Sequence, residues 1–434
     1  MINKKFCALS LAFLLCACGK KSKSQSGGGN SNKEQQKEGE HEPNQQGNKV
    51  LNGNDKDGQN TPNGKKEIPK KQDKNFPTGL RNIGCSCYLN SLVQQLYNIE
   101  PIRKAVLNGN FGTFEDISNE LKKENLSSDL LMLDGKELQK KGLNNHQIKI
   151  LELLRRKQWR IALKEMFKGM SSDLSFFDPD DLPCRLGYVK HQQEDASEFF
   201  LSLLDALGNG SDTEKLVKET FFFNLKESMT KQCPRIHTTD NTFVSGPLAC
   251  SIVDPFTRNE IDSLNDILEP LFVSEKLSDI RCDICEDARK EGKLDKELEE
   301  IAKNCPKYEA TKQTQFSSLP RCLVVELKRF GGNETSCCKI NHQVTFPLDL
   351  EIKQEWCAEN LSENIPSYTL TGVIVHSGSL SGGHYWSYVK KGEKWYECND
   401  ATVSEVHMDD TLLDSLYGDG KKSDSAYILF YSKA

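Results

Sequence analysis

Apolar residues are nearly absent from residues 18–75 and become periodic from Phe76 onward. The polar tract of Lys, Gly, Asn, Gln, Ser, Glu and Asp cannot bury enough surface to offset the entropy of ordering, so it reads as a disordered tether. The folded part is expected to begin at Phe76. Leu89, Leu92, Val93, Leu96 and Tyr97 then fall at i, i+3, i+4, i+7 and i+8, one apolar face of a helix that starts near Cys87. Residues 111–158 are helical in pattern. Ala196, Phe199, Phe200, Leu203, Leu204 and Leu207 predict a further packed helix. From about residue 216 the pattern shifts to short β-rich runs: Phe221 to Leu225, Cys322 to Leu327, Tyr368 to His376, Tyr385 to Val389 and Ala426 to Tyr431. These predict an antiparallel sheet. Helices first and strands later predict an α+β fold rather than a doubly wound one.

The extreme N-terminus has a pattern of its own. Lys4 and Lys5 precede an apolar run, Phe6 to Leu15, that is too short to span a bilayer as a mature helix. The run ends in Leu15-Cys16-Ala17-Cys18-Gly19, which resembles a bacterial lipoprotein signal. That resemblance implies that residues 1–17 are a signal peptide removed from the mature chain and that Cys18 carries lipid. An ordinary secretory signal with incidental cysteines is the alternative.

Composition narrows the picture. A chain of 434 residues can hold two or three domains, or one large domain with a tail. The net charge of −6 argues against a nucleic-acid partner, whose footprint would be basic. The 16 cysteines are many for a cytosolic protein, yet they are not laid out as a small disulfide framework. Metal ligation and catalysis explain some better, and the rest suit small buried apolar positions.

Several stretches carry candidate chemistry. Gly79 to Gln95 (G-L-R-N-I-G-C-S-C-Y-L-N-S-L-V-Q-Q) is a glycine-bracketed turn that ends in a cysteine and runs into a helix. Unpaired N–H groups and the positive end of the dipole favour a thiolate at a helix start, which makes Cys87 a candidate nucleophile. Asn82 in the same turn is, taken alone, a turn asparagine. Of the 8 histidines, His384 has Gly382 and Gly383 before it and Trp395-Tyr396-Glu397-Cys398-Asn399-Asp400 just after, ahead of a strand over Trp386 to Val389. Glycines let a substrate backbone approach closely. An imidazole there can take a thiol proton and later protonate a leaving amine. Asp195 and Glu198 share a face near a helix N-terminus, where acids are favoured. Cys282-Asp283-Ile284-Cys285 is a metal knuckle by spacing, and Cys233 with His237 would complete a tetrahedral Cys₃His zinc site. Cys305 and the Cys337-Cys338 pair are weaker alternatives, and the charged segment 286–304 reads as a solvated helical insertion. Glu326 to Phe330, after Leu319-Pro320, reads as a strand with an exposed basic end.

In this order, these stretches resemble the ubiquitin-specific proteases, the largest family of papain-like deubiquitinases. The match rests on the cysteine box at Gly79–Gln95, Gln192-Gln193-Glu194-Asp195-Ala196-Ser197-Glu198, the finger cysteines, Lys328-Arg329-Phe330, and the histidine box from Val375-His376-Ser377-Gly378 to Asp400. It covers residues 76–434. The resemblance implies a papain-like α+β fold with a helical thumb, an antiparallel β palm and fingers at about 220–315, the active site lying at the thumb–palm seam. Residues 111–158 would be a helical elaboration; 130–151 also faintly resembles a sterile-alpha-motif domain.

The resemblance further implies site roles. Cys87 is the nucleophile, His384 the acid–base, and Asn399, four positions after Trp395, the third triad member. An asparagine can orient the ring but cannot stabilise an imidazolium as an anion would. Asp400 takes a supporting role, and which of the two bonds the ring is left open. Asn82 donates to the oxyanion. Asp195 and Glu198 meet the basic C-terminal tail of ubiquitin, where a carboxylate can take an Arg guanidinium bidentately. The finger cysteines bind structural zinc, though here the fourth ligand is a histidine, and a finger that has lost its metal is the alternative. Cys85 and Ser86 depart from the usual Asn-Thr. Cys85 is either inert, since a C-x-C pair closes a strained ring, or a redox partner of Cys87. The implied activity is thiol-dependent hydrolysis after the terminal glycine of ubiquitin on protein conjugates. With the lipoprotein-type N-terminus, this suggests an exported bacterial factor, membrane-anchored through Cys18 and acting on host proteins. Two alternatives are an inactive ubiquitin-binding module and a protease for another ubiquitin-like modifier.

Overall fold

The computed structural model describes residues 69–71, 73, 76–189, 192–233, 236–253, 259–292, 296, 307–333, 336–361, 365–379, 382–420 and 423–434. The signal segment, Cys18, Cys305 and nearly all of the tether lie outside the described residues, as does most of 286–304. Order begins before Phe76. Lys71 N–H donates to Asp173 O at 2.8 Å and Ser175 N–H to Pro69 O at 2.8 Å. Backbone pairing of this kind leaves no hydrophobic signature, which is why the polar stretch hid it. Strand β1 (Gly79–Leu80) continues the pairing with β2 (Phe176–Phe177), in parallel.

The helix expected at the cysteine forms as α1 (Cys87–Asn98), with Leu89, Leu92, Val93 and Leu96 fully buried. Around it lie α2 (Glu100–Asn108), α3 (Phe114–Lys123), a 3₁₀ turn (Ser128–Met132), α4 (Gly135–Lys140), α5 (Asn145–Met170), α6 (Leu182–Arg185), α7 (Ala196–Gly208) and α8 (Glu214–Phe221). The starts of α3, α4 and α5 are capping boxes built on Thr113/Asp116, Asp134/Glu137 and Asn144/Gln147. The boundary at 158 does not hold. α5 is one helix of 26 residues that packs on α7 on both sides of residue 158, with Arg156 Nε on Asp205 at 2.7 Å and the Trp159 ring 5.3 Å from Phe199. The elaboration and the lobe centre share this helix.

Apart from the β1–β2 pair and one hairpin, the strands form two sheets. The finger sheet runs β4 (His237–Ser245), β3 (Phe223–Lys231), β7 (Tyr308–Phe316), β6 (Glu275–Ile280), all antiparallel. The palm sheet runs β15 (Thr402–Val406), β14 (Lys394–Asn399), β13 (Gly382–Lys391), β12 (Tyr368–Ser379), β16 (Ser425–Lys433), β8 (Cys322–Lys328), β5 (Leu248–Ser251). Its last pair, β5 with β8, is parallel, because the chain crosses through α9 (Leu264–Phe272) and the fingers between them. β5 and α9 thus belong to the palm, although they fall inside the 220–315 span expected for fingers. Phe221 and Phe222 are not strand either: Phe221 ends α8 and packs against Phe200 at 5.5 Å. The hairpin β9 (Phe330–Asn333)–β10 (Ser336–Lys339) and the short β11 (Asp349–Leu350) flank the palm, with α10 (Asp283–Lys290) at the fingers and α11 (Asp410–Tyr417) beside β16.

The palm sheet is covered on both faces. Val324, Ile374, Ile428 and Phe430 join the helical core, while Val325, Val373, Val375, Leu429 and Tyr431 join a second core around Phe272 and Trp356. Two buried faces explain why these strands read as unbroken apolar runs. The basic end expected to be exposed is not. Arg329 is 0% exposed, and its guanidinium donates to the carbonyls of Ala426 (2.7 Å), Ile340 (3.2 Å), His342 (3.0 Å) and Tyr417 (3.1 Å). Among the described residues no helix is long and apolar enough to cross a membrane.

Candidate active site

α1 meets the palm at a point without a side chain. A Cβ on Gly372 of β12 would collide with Gln95, whose Nε2 instead donates to Tyr388 O (2.9 Å) and Val373 O (3.3 Å). This close docking brings the first residue of α1, the buried Cys87, to the strand that carries His384. His384 lies within β13, opposite Ser377 of β12, rather than ahead of the strand. Its ring stacks on Trp386 at 5.8 Å between centroids.

His384 Nε2 meets Asn399 Oδ1 at 2.7 Å, and Asp400 Oδ2 stands off at 4.0 Å. Asn399 therefore takes the ring. An amide oxygen only accepts, so Nε2 carries the proton and Nδ1 is left for the thiol. The hydrogen bond with Cys87 is the largest influence on His384. It outweighs burial and, helped by Asn399 and Asp400, raises the imidazole pKa to about 9.

Asp400 has a different task. It sits at φ 50° in the turn between β14 and β15, and its carboxylate accepts Asn82 Nδ2 at 2.9 Å and Asn90 Nδ2 at 2.8 Å. One aspartate thus ties the loop before Cys87 and the helix after it to the hairpin that holds Asn399. Gly79 has no room for a Cβ because the Ala401 backbone lies against it. The Asn82 oxygen accepts Gly84 N–H (2.9 Å), Ser86 N–H (3.3 Å) and Ser86 Oγ (3.2 Å), which fixes the amide plane. One N–H of Asn82 is used by Asp400, and an amide nitrogen carries a second.

The acids at the start of α7 are partly committed. Asp195 Oδ1 caps the helix through Ser197 N–H (2.8 Å) and Glu198 N–H (3.1 Å), and its Oδ2 accepts Tyr427 OH at 2.6 Å. With a single lone pair left on Oδ2, Asp195 has room for one further donor and not for a guanidinium fork. Glu198 is exposed and can take one. Gly382 and Gly383 are exposed, but a Cβ on Gly383 would strike Ser377 O and His376 Nε2 of the neighbouring strand. Its smallness serves the sheet as well as any substrate.

Residues 78–431 match the family model "Ubiquitin carboxyl-terminal hydrolase". This chain belongs to the ubiquitin carboxyl-terminal hydrolase family. It is 27% identical over 389 residues to human ubiquitin carboxyl-terminal hydrolase 9Y, covering 76% of this chain and 14% of that protein. With the Drosophila melanogaster probable ubiquitin carboxyl-terminal hydrolase FAF it shares 26% over 417 residues, 82% of this chain and 14% of the relative. Arabidopsis thaliana ubiquitin carboxyl-terminal hydrolase 25 is 28% identical over 383 residues, 82% of this chain and 47% of the relative. The chain thus spans less than half the length of these relatives. The papain-like α+β fold expected from the sequence boxes is borne out.

Three more residues of this hydrolase-family site carry polar contacts that the sequence reading did not assign. Gln193 Oε1 accepts Gly383 N–H at 2.9 Å, pinning the turn before His384. Tyr188 OH accepts Cys85 N–H at 3.0 Å. Asn90 is one of four buried polar residues of α1, with Ser91, Gln94 and Gln95, so nothing in the sequence set it apart.

At the finger tip Cys233, His237, Cys282 and Cys285 converge. Cys233 Sγ lies 3.2 Å from His237 Nδ1 and 3.6 Å from Cys282 Sγ; His237 Nδ1 lies 3.3 Å from Cys282 Sγ and 3.5 Å from Cys285 Sγ. Bonds of ~2.3 Å to sulfur and ~2.0 Å to nitrogen place the donors of a tetrahedral site about 3.5–3.8 Å apart, so this set fits a tetrahedral ion. The three thiols are buried and free of disulfides. Of the weaker alternatives, Cys338 is exposed and no part of this cluster.

Proposed function

We propose that this chain is a deubiquitinase, a thiol-dependent hydrolase of the bond after the C-terminal glycine of ubiquitin on protein conjugates. The observation that carries it is the line from Cys87 through His384 to Asn399, with the ring bonded to the thiol on one side and to Asn399 at 2.7 Å on the other. His384 Nδ1 takes the Cys87 proton and the thiolate attacks the carbonyl carbon. The oxyanion accepts the second N–H of Asn82. The imidazolium gives its proton to the departing lysine amine, leaving a thioester. Water then enters, His384 takes its proton, and the thiolate departs with the carboxyl product released. Asn399 keeps the ring in the required tautomer throughout, in the way a triad aspartate does.

Glu198, and the last lone pair of Asp195, would meet a cationic tail. Zinc is our assignment for the finger cluster, since three thiolates and an imidazole at tetrahedral spacing suit it. It would hold the finger tip together and take no part in the chemistry. Anchoring through lipid on Cys18, and export from a bacterium to act on host proteins, are part of the proposal and rest on the N-terminal sequence. The acids also suit other ubiquitin-like modifiers with a basic tail.

The deciding experiment is hydrolysis of a fluorogenic ubiquitin C-terminal amide beside the same amides of other modifiers. Turnover of ubiquitin lost in Cys87→Ala and His384→Ala supports the reading. Turnover of a different modifier alone redirects it, and ubiquitin binding without turnover replaces it with a binding module.

A further inference from the structure

The palm face that meets the helical lobe is apolar at Cys322 and Val324 and then places a carboxyl, Glu326, beneath the start of α7. Glu326 is no part of the chemistry above. Its Oε1 lies 3.5 Å from Tyr427 OH, whose oxygen also lies 2.6 Å from Asp195 Oδ2, and it hydrogen-bonds the Ser197 side chain.

A phenol carries one proton. The 2.6 Å contact claims it for Asp195, so Tyr427 presents only lone pairs to Glu326. An ionised Glu326 would face those lone pairs and the Asp195 charge across a buried seam, with only the Ser197 hydroxyl and Lys328 to hold it. A protonated one donates to Tyr427 and closes the chain. We propose that Glu326 is a neutral carboxylic acid and a positioning residue, donating to Tyr427 so that Tyr427 donates to Asp195 and holds that carboxylate, charged and aimed, at the substrate-tail side of the site.

The surroundings agree. Asp195 and Ser197 of α7, Tyr427 of β16 and Tyr385 of β13 surround the carboxyl, Cys250 of β5 lies on the other face of the sheet, and among the described residues Lys328 on its own strand is the one cation that acts on it. Glu326 keeps some accessible surface, yet desolvation of its carboxyl is the largest influence and raises its pKa; Lys328 opposes this.

The consequence for substrate rests on the deubiquitinase reading; the protonation state does not. The test therefore has two arms on the full chain. In the infrared, wild type minus Glu326→Gln should show the C=O stretch of a protonated carboxyl at neutral pH; its absence overturns the proposal. In ubiquitin-amide hydrolysis, Glu326→Ala should raise KM roughly tenfold, the scale of one hydrogen bond to a charged group, with kcat little changed. Glu326→Gln, whose N–H₂ can donate to Tyr427, should restore KM. A glutamine variant as impaired as the alanine variant overturns the proposal. A wild type without turnover refutes the deubiquitinase reading instead, and the infrared arm still decides the protonation state if the alanine variant fails to fold.

Discussion

Asn82 and Asp400 are joined by a 2.9 Å hydrogen bond across more than three hundred residues of chain, so the candidate oxyanion donor is aimed by the turn that follows Asn399. Asp400→Ala should release both Asn82 and Asn90. Removing one oxyanion donor costs about 10²–10³ in rate, and a fall in kcat of that order with KM little changed is expected. Asp400→Asn should fare poorly too, because it can turn an N–H₂ group toward one of the two amide donors. A loss confined to KM would place Asp400 outside the chemistry.

The pH dependence follows from His384. Its pKa is raised to about 9, chiefly by the thiol. A raised imidazole pKa means that the stability gained from the pair is present below the ordinary value of about 6.5 and is lost as pH rises through 9. The proton needed by the leaving amine disappears over the same interval, so kcat/KM should fall on an alkaline limb near 9. In Cys87→Ala, NMR titration should find His384 shifted down. An unchanged titration would show that the thiol is not its partner.

Asn399 offers a graded probe. Asn399→Ala should let the ring rotate and lower kcat, while Asn399→Asp places an anion against Nε2 and should move the alkaline limb upward. Paired pH–rate profiles of the two variants check this.

Metal analysis should find about one zinc per chain, lost in Cys282→Ser or Cys285→Ser. Chelation should melt the finger tip, and ubiquitin binding should weaken more than hydrolysis of a small acyl ester at Cys87. Equal metal content in wild type and variants would exclude the Cys₃His set.

Arg329 supplies a stability test. Its four carbonyl partners come from β16, the 340–342 segment and the end of α11, and burial lowers its pKa to about 10. Arg329→Met leaves those carbonyls without donors and should destabilise by about 3 kcal/mol or more, read from urea midpoints. Arg329→Lys should rescue little, since an ammonium cannot span the fork's directions.

Periodicity made α1, α7 and the central palm strands legible because each buries a continuous apolar face. Cys87 and His384 were legible because a helix start and flanking glycines are local signals, whereas Asn399 came only from the family spacing after Trp395, with its bond to the ring left open. What stayed hidden was set by partners distant in sequence. The burial of Arg329 depends on carbonyls from three separate segments, and the parallel β5 on a crossover through the fingers. The commitment of Asp195 depends on Tyr427 more than two hundred residues away. Lys70 and Lys71 join the fold through backbone pairing and one Lys71 side-chain bond to Met170 O. None of these leaves a period in the chain.

The contact between Gln95 and Gly372 has one more consequence. Where Gly372 leaves room, the Gln95 side chain reaches from the helix of Cys87 to the sheet of His384, and its hydrogen bonds to Val373 and Tyr388 tie the two in register. The seam is a weld and not a hinge. A seam so fastened is expected to keep the thiol and imidazole at their spacing, and motion that admits a substrate is expected from parts outside it.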